Sequence, residues 1–302
     1  MRNILADVMP KTFNLITNLN NGAGLQRDYE ILRALLEGLG HTVYGHDYRD
    51  LTMPRHVDIN IYFEVLAPHT FGRAKEDWFF PNSEWYFPNW DLCINRFIHV
   101  LCKTQDCLEI WKKKVGNRAE YVGFESLDFF QPQVPRQLRF LHLAGRSMTK
   151  NTEAVVAAWR NHKLPYPLTV VAYPSQLTGD EVVRFMNEHT FHVMPSLYEG
   201  FGHVIHEALG TGGIVITTDA PPMRDFPGVP KELLVPVARS IPARAARHYI
   251  VDPLHVADAV HRAAGLPPDK LRDFAEQARA GFIAGRDEFR SNLERLVGRC
   301  AI

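Results

Sequence analysis

The chain has 302 residues, 46% of them hydrophobic and 23% charged, and 34 lysines and arginines balance 34 aspartates and glutamates. That length suffices for two domains with a core each, and the neutral balance gives no global pull toward nucleic acid or anionic lipid. The apolar runs are a handful of residues, far short of the roughly 18–20 of a spanning helix, and the opening MRNILADVMPK has no apolar stretch long enough for a secretory signal. Cysteine is too sparse for a disulfide framework: Cys102 and Cys107 have the wrong spacing for a zinc hook, and Cys93 and Cys300 stand alone. The expectation is a soluble, cytoplasmic, globular chain.

In chain order, TFNLITN (12–18) predicts a strand, followed by the Gly-bearing turn NLNNGAG (18–24) and a helix over LQRDYEILRALLEGLG. Leu25, Tyr29, Leu32, Leu36 and Leu39 share one face of that helix, and Gly38 and Gly40 end it. HTVYGHD, VDINIYFEV, DWFFPN and FIHVLC read as further strands, and DCLEIWKKKVG as a helix. FFQPQVPRQ (129–137) is the candidate linker, since Pro132 and Pro135 disfavour both helix and central strand. Strands are then expected at LRFLHLAG, LTVVAY, FHVMPS and IVITTDAPP, with helices at TKNTEAVVAAWRNH, TGDEVVRFMNEH and within YEGFGHVIHEALGTGG, and mostly helix from about Pro253. Alternation of this kind argues for α/β domains with parallel sheets, and ligands bind beyond the carboxyl ends of such strands.

Chemistry concentrates in MPSLYEGFGHVIHEALGTGGIVITTD (194–219). Gly200 and Gly202 bracket Phe201 just before a helix, so backbone N–H groups there can approach an anion without an intervening Cβ, aided by the helix dipole. Glu199 and Glu207 cannot be phosphate ligands; carboxylates there suit the hydroxyls of a sugar or ribose. Upstream, LHLAGRSMTKN places Gly145, Arg146 and Lys150 at a strand-to-helix junction, a fork and a point charge suited to a diphosphate. The chain contains no Asp-x-Asp, so a divalent metal held by that carboxylate pair is not indicated.

The pair Glu199 and Glu207, in PSLYEGFGHVIHEALGTGGIVITTD, resembles the E-x7-E signature of retaining GT-B glycosyltransferases (glycosyltransferase family four-like, "glycosyl transferases group 1"); GRSMTKN resembles that family's Gly-Arg…Lys turn, and VGFESLDFFQP is similar to the stretch closing its N-terminal domain. The resemblance covers residues 120 to 225 well and the first half only in rhythm. It implies two Rossmann-like domains facing across a cleft: an acceptor domain over 1–133, a nucleotide-sugar domain over 134–283, and a terminal helix over 284–302 crossing back to the first. It further implies that Arg146 and Lys150 hold the donor diphosphate, Glu207 takes the ribose and Glu199 the donor sugar, with the amides of Gly145, Gly200, Phe201 and Gly202 nearby. The expected activity is metal-independent sugar transfer from a nucleotide-diphosphate donor, with no cofactor, to a glycan, lipid or small-molecule acceptor. A sugar phosphorylase, a nucleotide-sugar epimerase and a non-catalytic nucleotide-sugar-binding module are the alternatives. Departures from the family pattern are Asn151 where glycine is common and a short stretch between Tyr173 and Met194.

In the first half, Gly22 and Gly24 sit where the family's glycine-rich loop faces the diphosphate. Family members also set a histidine or carboxylate from this half against the sugar, and Glu64, His69, Asn82, Glu84 and Lys103 follow expected strands. Glu84 is the catalytic candidate, because DWFFPNSEWYFPNW would desolvate it or stack a sugar; the competing reading makes those aromatics core. WKKKVGNR (111–118) reads either as a solvated helix C-terminus or as a seat for weak peripheral membrane contact, and His203 and His206 as structural rather than metal ligands.

Overall fold

A computed structural model describes residues 9–22, 24–175 and 177–299, so Cys300 and most of the opening segment lie outside the described residues. The chain divides into two compact units, one formed by 1–124 with 287–302 and the other by 125–286. The division falls upstream of the proline-bearing stretch because residues 125–131 already bond into the second unit. Ser126 meets His203 at 2.8 Å, Asp128 pairs with Arg279 at 2.7 Å, and the Gln131 N–H donates to Asn187 at 2.8 Å.

Unit 1 is built on β1 (Thr12–Thr17), α1 (Gly24–Gly38), β2 (Thr42–Asp47), β3 (Val57–Phe63), β4 (Ala74–Phe80), β5 (His99–Cys102), α2 (Gln105–Val115) and β6 (Ala119–Tyr121). Its strands form one parallel sheet in the order β2-β1-β3-β4-β5-β6. The central strands are buried on both faces, and the polar residues they carry inward bond one another, Asn14 Nδ2 donating to Asn60 Oδ1 at 2.9 Å. On α1 the buried face is Asp28, Ile31, Leu32 and Leu36; it is rotated from the expected leucine stripe toward Asp28, for which the fold supplies a cation. Thr104 caps α2 by accepting the Cys107 N–H at 3.1 Å. The 81–98 connection is irregular, with 3₁₀ turns at Pro88–Leu92 and Ile94–Arg96, where a crossover helix is usual.

Unit 2 contains β7 (Gln137–Gly145), α3 (Thr152–Asn161), β8 (Leu168–Ala172), α4 (Gly179–Glu188), β9 (His189–Met194), α5 (His203–Gly210) and β10 (Ile214–Thr217). After them come β11 (Val237–Ala243), β12 (Ala246–Val251), α6 (Pro253–Ala264) and α7 (Pro268–Arg299). Four parallel strands run in the order β10-β9-β7-β8, while β11 and β12 form a separate antiparallel hairpin that the α/β rhythm does not anticipate. Two apolar clusters flank the sheet, one around Phe140, Phe191 and α6, the other around Leu141, Val215 and Phe282. The long α7 contributes Phe274, Ala278 and Phe282 to unit 2; beyond Arg286 it belongs to unit 1, where Phe289 packs on Phe124 at 4.8 Å.

Candidate active site

At the carboxyl end of the unit 2 sheet, three loops converge. After β7 the chain turns at Gly145 (φ +55), where an added Cβ would meet open space, and then makes a 3₁₀ turn over Met148–Lys150. Asn151 follows in the left-handed region at φ +58 and ψ +37. Asparagine tolerates that conformation better than other side-chain-bearing residues, which accounts for its standing at a glycine-like position. The turn is tied to the loop after β9, because the Leu197 N–H donates to the Thr149 carbonyl at 2.8 Å.

The two loops meet at Glu199. Its Oε1 accepts from Lys150 Nζ at 2.5 Å and from Ser196 Oγ at 2.6 Å, with the Lys150 and Glu199 side chains largely buried. Ser196 is itself fixed, its carbonyl accepting from Thr218 Oγ1 at 2.7 Å. Sequence reasoning passed over Ser196; its place at the end of a fully buried strand was the available signal. Gly202 opens α5 at φ +100, and a Cβ there would press the Phe226 ring at 3.1 Å, so conformation and space both demand glycine. Glu207 is buried a turn further along α5. Phe201 turns its ring into the core, 5.6 Å from Phe226, leaving only its backbone to face a ligand; Gly200 is half-buried beside it. Arg146 lies at the surface with its guanidinium 4.8 Å from the exposed Tyr173 ring. Lys150 therefore reaches the carboxylate, whereas Arg146 is held by an aromatic face at the edge of the site.

His203 and His206 occupy structural places. His203 bonds Ser126, and buried His206 packs at a tilt on Phe282 with ring centroids 4.6 Å apart, with burial holding its pKa down to about 3. No group of three or more metal-ligating side chains lies together among the described residues.

The corresponding edge of unit 1 gathers some of the first-half candidates and separates others. Glu64, at φ +59 just past β3, accepts from Asn82 Nδ2 at 2.8 Å. Burial pushes the Glu64 carboxyl above the usual range, with nearby Lys103 and the Asn82 amide pulling the other way. Lys103 is fully committed to an ion pair with Asp28, and its ammonium lies 4.7 Å from the Phe124 ring and 5.6 Å from that of Phe63. His69 is removed to another loop, 2.9 Å from the Asp50 carbonyl. Glu84 is half-buried in the turn beyond Asn82, next to Ser83, which accepts from Trp111 Nε1 at 3.1 Å. Gly22 (φ +63) donates its N–H to Gln26 at 3.2 Å, and Gly24 starts α1; Ala23 between them lies outside the described residues.

Two α/β units with parallel sheets, each presenting its polar loops at the carboxyl ends of its strands, define the GT-B glycosyltransferase fold. Residues 120–249 match the sequence pattern of the family described as "Glycosyl transferases group 1". No curated protein sequence matches the chain. Among solved structures it is similar to a sucrose-phosphate synthase from Thermosynechococcus elongatus (14% identity, 95% of this chain and 98% of that one, TM-score 0.67). It is similar also to the lipopolysaccharide outer core galactosyltransferase WaaB in its apo form (11%, 95% and 99%, 0.63). A third is the pneumococcal O-GlcNAc transferase GtfA in complex with UDP and GlcNAc (12%, 88% and 59%, 0.58). The chain thus spans less than two thirds of the GtfA chain.

Proposed function

We propose that the chain is a retaining, metal-independent glycosyltransferase that takes a sugar from a nucleotide-diphosphate donor. The observation that carries this reading is the Lys150–Glu199–Ser196 network beside the glycine turn of α5. At rest, Lys150 and Glu199 neutralise one another. An arriving diphosphate competes for the ammonium, which frees the Glu199 carboxylate to accept from sugar hydroxyls. The α5 amides beyond Gly200 then stabilise charge on the departing diphosphate, with Arg146 adding a second cation at the rim. Glu207 takes the ribose hydroxyls. Chemistry of this kind needs positioning and fixed charge rather than a cofactor. The retaining outcome rests on the resemblance of the Glu199–Glu207 segment, and Glu84 is proposed to face the donor sugar from unit 1.

The test is thermal unfolding with UDP, GDP, ADP, CMP and TDP in the presence of EDTA, repeated on Glu207→Ala. One nucleotide should stabilise the wild type, by about 2.7 kcal/mol at a hundredfold excess over its Kd, and that gain should vanish in the variant. With the matching nucleotide-sugar and a hydroxyl-bearing acceptor drawn from a panel of glycans, lipids and small molecules, the anomeric carbon should pass from the diphosphate to the acceptor oxygen, giving free nucleotide plus a glycoside of unchanged anomeric configuration, and Glu199→Ala should abolish turnover while remaining folded. No stabilisation by any of the five, or full activity in Glu199→Ala, would overturn the reading.

A further inference from the structure

Each of the two main sheets has a topological switch point, and the donor site accounts for one of them. In unit 2 the chain passes from β7 to β8 on one side and from β9 to β10 on the other, so the switch lies between β7 and β9, whose following loops bring Lys150 to Glu199. Unit 1 repeats the arrangement. There β1 leads to β2 on one side and β3 to β4 on the other, which sets the switch between β1 and β3. Ligands of open parallel sheets bind at such points, beyond the carboxyl ends of the strands. The residue that follows β3 at that end is Glu64.

Glu64 is held in a backbone conformation that its side chain disfavours. It sits at φ +59 while the Val65 N–H donates to the Phe63 carbonyl at 2.6 Å, closing a tight three-residue turn around it. Glycine would meet that turn without the cost of a Cβ, and strain kept at a non-glycine residue collects where a side chain is put to use. The Glu64 N–H donates to the Phe80 carbonyl at 2.9 Å, so the ladder to β4 braces the turn. The side chain is half-buried and fixed by Asn82 Nδ2 at 2.8 Å. It has no ion pair among the described residues, because Lys103, the cation that acts on it, is committed to Asp28. Two buried polar atoms at the same strand ends lack hydrogen-bond partners among the described residues, Thr17 Oγ1 on the last residue of β1 and Asn82 Oδ1 after β4. Folds ordinarily satisfy such atoms, so this end of the sheet is shaped by something other than stability. A carboxyl without a cation of its own repels phosphate and accepts from hydroxyls. With an amide beside it, it suits neighbouring hydroxyls of a sugar ring, each of which both donates and accepts.

We propose that Glu64, at the β1/β3 switch point, binds the acceptor through its hydroxyls, and that this acceptor is an unphosphorylated carbohydrate. The assignment rests on the sugar-transfer reading above and is separate from the role given to Glu84. Saturation-transfer NMR on the full chain, with and without nucleotide, tests it. The probes are the methyl glycosides of glucose, galactose, mannose and N-acetylglucosamine, set against glucose 6-phosphate and dihexanoylphosphatidylglycerol. A neutral glycoside should bind, and neither anionic probe should displace it. In Glu64→Gln, Asn82 keeps hold of the amide carbonyl and an NH2 stands where the second carboxyl oxygen stood, so glycoside binding should weaken about tenfold. Glu64→Gly should lose the glycoside yet melt higher than Glu64→Ala, because glycine suits the turn; that contrast separates the binding role of the carboxyl from a structural one. No glycoside binding, displacement by either anionic probe, or unchanged glycoside affinity in Glu64→Gln would overturn the proposal. Nucleotide stabilisation read on the same samples reports on unit 2: it should persist in all three variants, and its absence from the wild type would overturn the donor reading by itself, whatever the glycosides do.

Discussion

Replacing Lys103 by methionine isolates the energetic role of the buried pair under α1. The Lys103 and Asp28 side chains are 5% and 4% exposed, so neither charge has water to fall back on. Methionine preserves the linear stem between the Phe63 and Phe124 rings and removes only the ammonium, which keeps cavity formation out of the measurement. Asp28 then loses its buried ammonium partner, a change that costs about 3–5 kcal/mol. At roughly 2–4 °C per kcal/mol for a unit of this size, the unit 1 transition should fall by about 6–20 °C. The double variant Asp28→Leu/Lys103→Met should recover to within about 1 kcal/mol of wild type, since a well-packed apolar pair replaces an ion pair at little net cost. Urea unfolding of the four members of the cycle, followed by tryptophan fluorescence, reads the coupling directly. If Lys103→Met alone costs less than about 1 kcal/mol, or the double variant is as unstable as the single, the pair is not what secures α1 to the sheet.

Stability of unit 2 should decline as pH falls from 6.5, because burial holds His192 and His206 down to about 3 and the unfolded chain takes up the protons first. Each histidine withdraws about 2 kcal/mol by pH 5; Glu64 in unit 1, whose carboxyl is raised, acts in the opposite sense as pH rises above its ordinary range. Urea midpoints at pH 7.5 and 5.0 for wild type and His192→Leu/His206→Phe check this, and an undiminished pH difference in the variant would refute it. Gly281→Ala should destabilise unit 2 by more than about 3 kcal/mol, since its Cβ would stand 2.1 Å from the Pro227 carbonyl oxygen, a backbone atom that cannot step aside. A melting curve within about 2 °C of wild type would contradict that packing. Lys150→Met should weaken nucleoside diphosphate binding about tenfold or more, as expected for a lost charge-assisted contact of 1.5–3 kcal/mol, and unchanged affinity by calorimetry would remove Lys150 from the proposed donor site.

The sequence by itself determined the alternation of strands and helices, the parallel character of both main sheets and the positions of the site loops, because these follow from local periodicity and from glycines at positions only glycine fits. The burial of Trp78 and Phe79 was equally legible from their strand. What became of Trp85 and Phe87, a few residues on, was not: composition treats aromatics alike, and only the irregular β4–β5 connection decides which of them face water. The antiparallel β11–β12 hairpin escaped the reading for a related reason, since it interrupts the rhythm from which the rest was inferred. Pairings were the least accessible level. Lys103 meets Asp28 across 75 residues and Lys150 meets Glu199 across 49, and local spacing points to neither carboxylate. A residue's type and local spacing fix what chemistry it can perform; the partner that engages it is set by long-range chain topology, which only the tertiary structure decides.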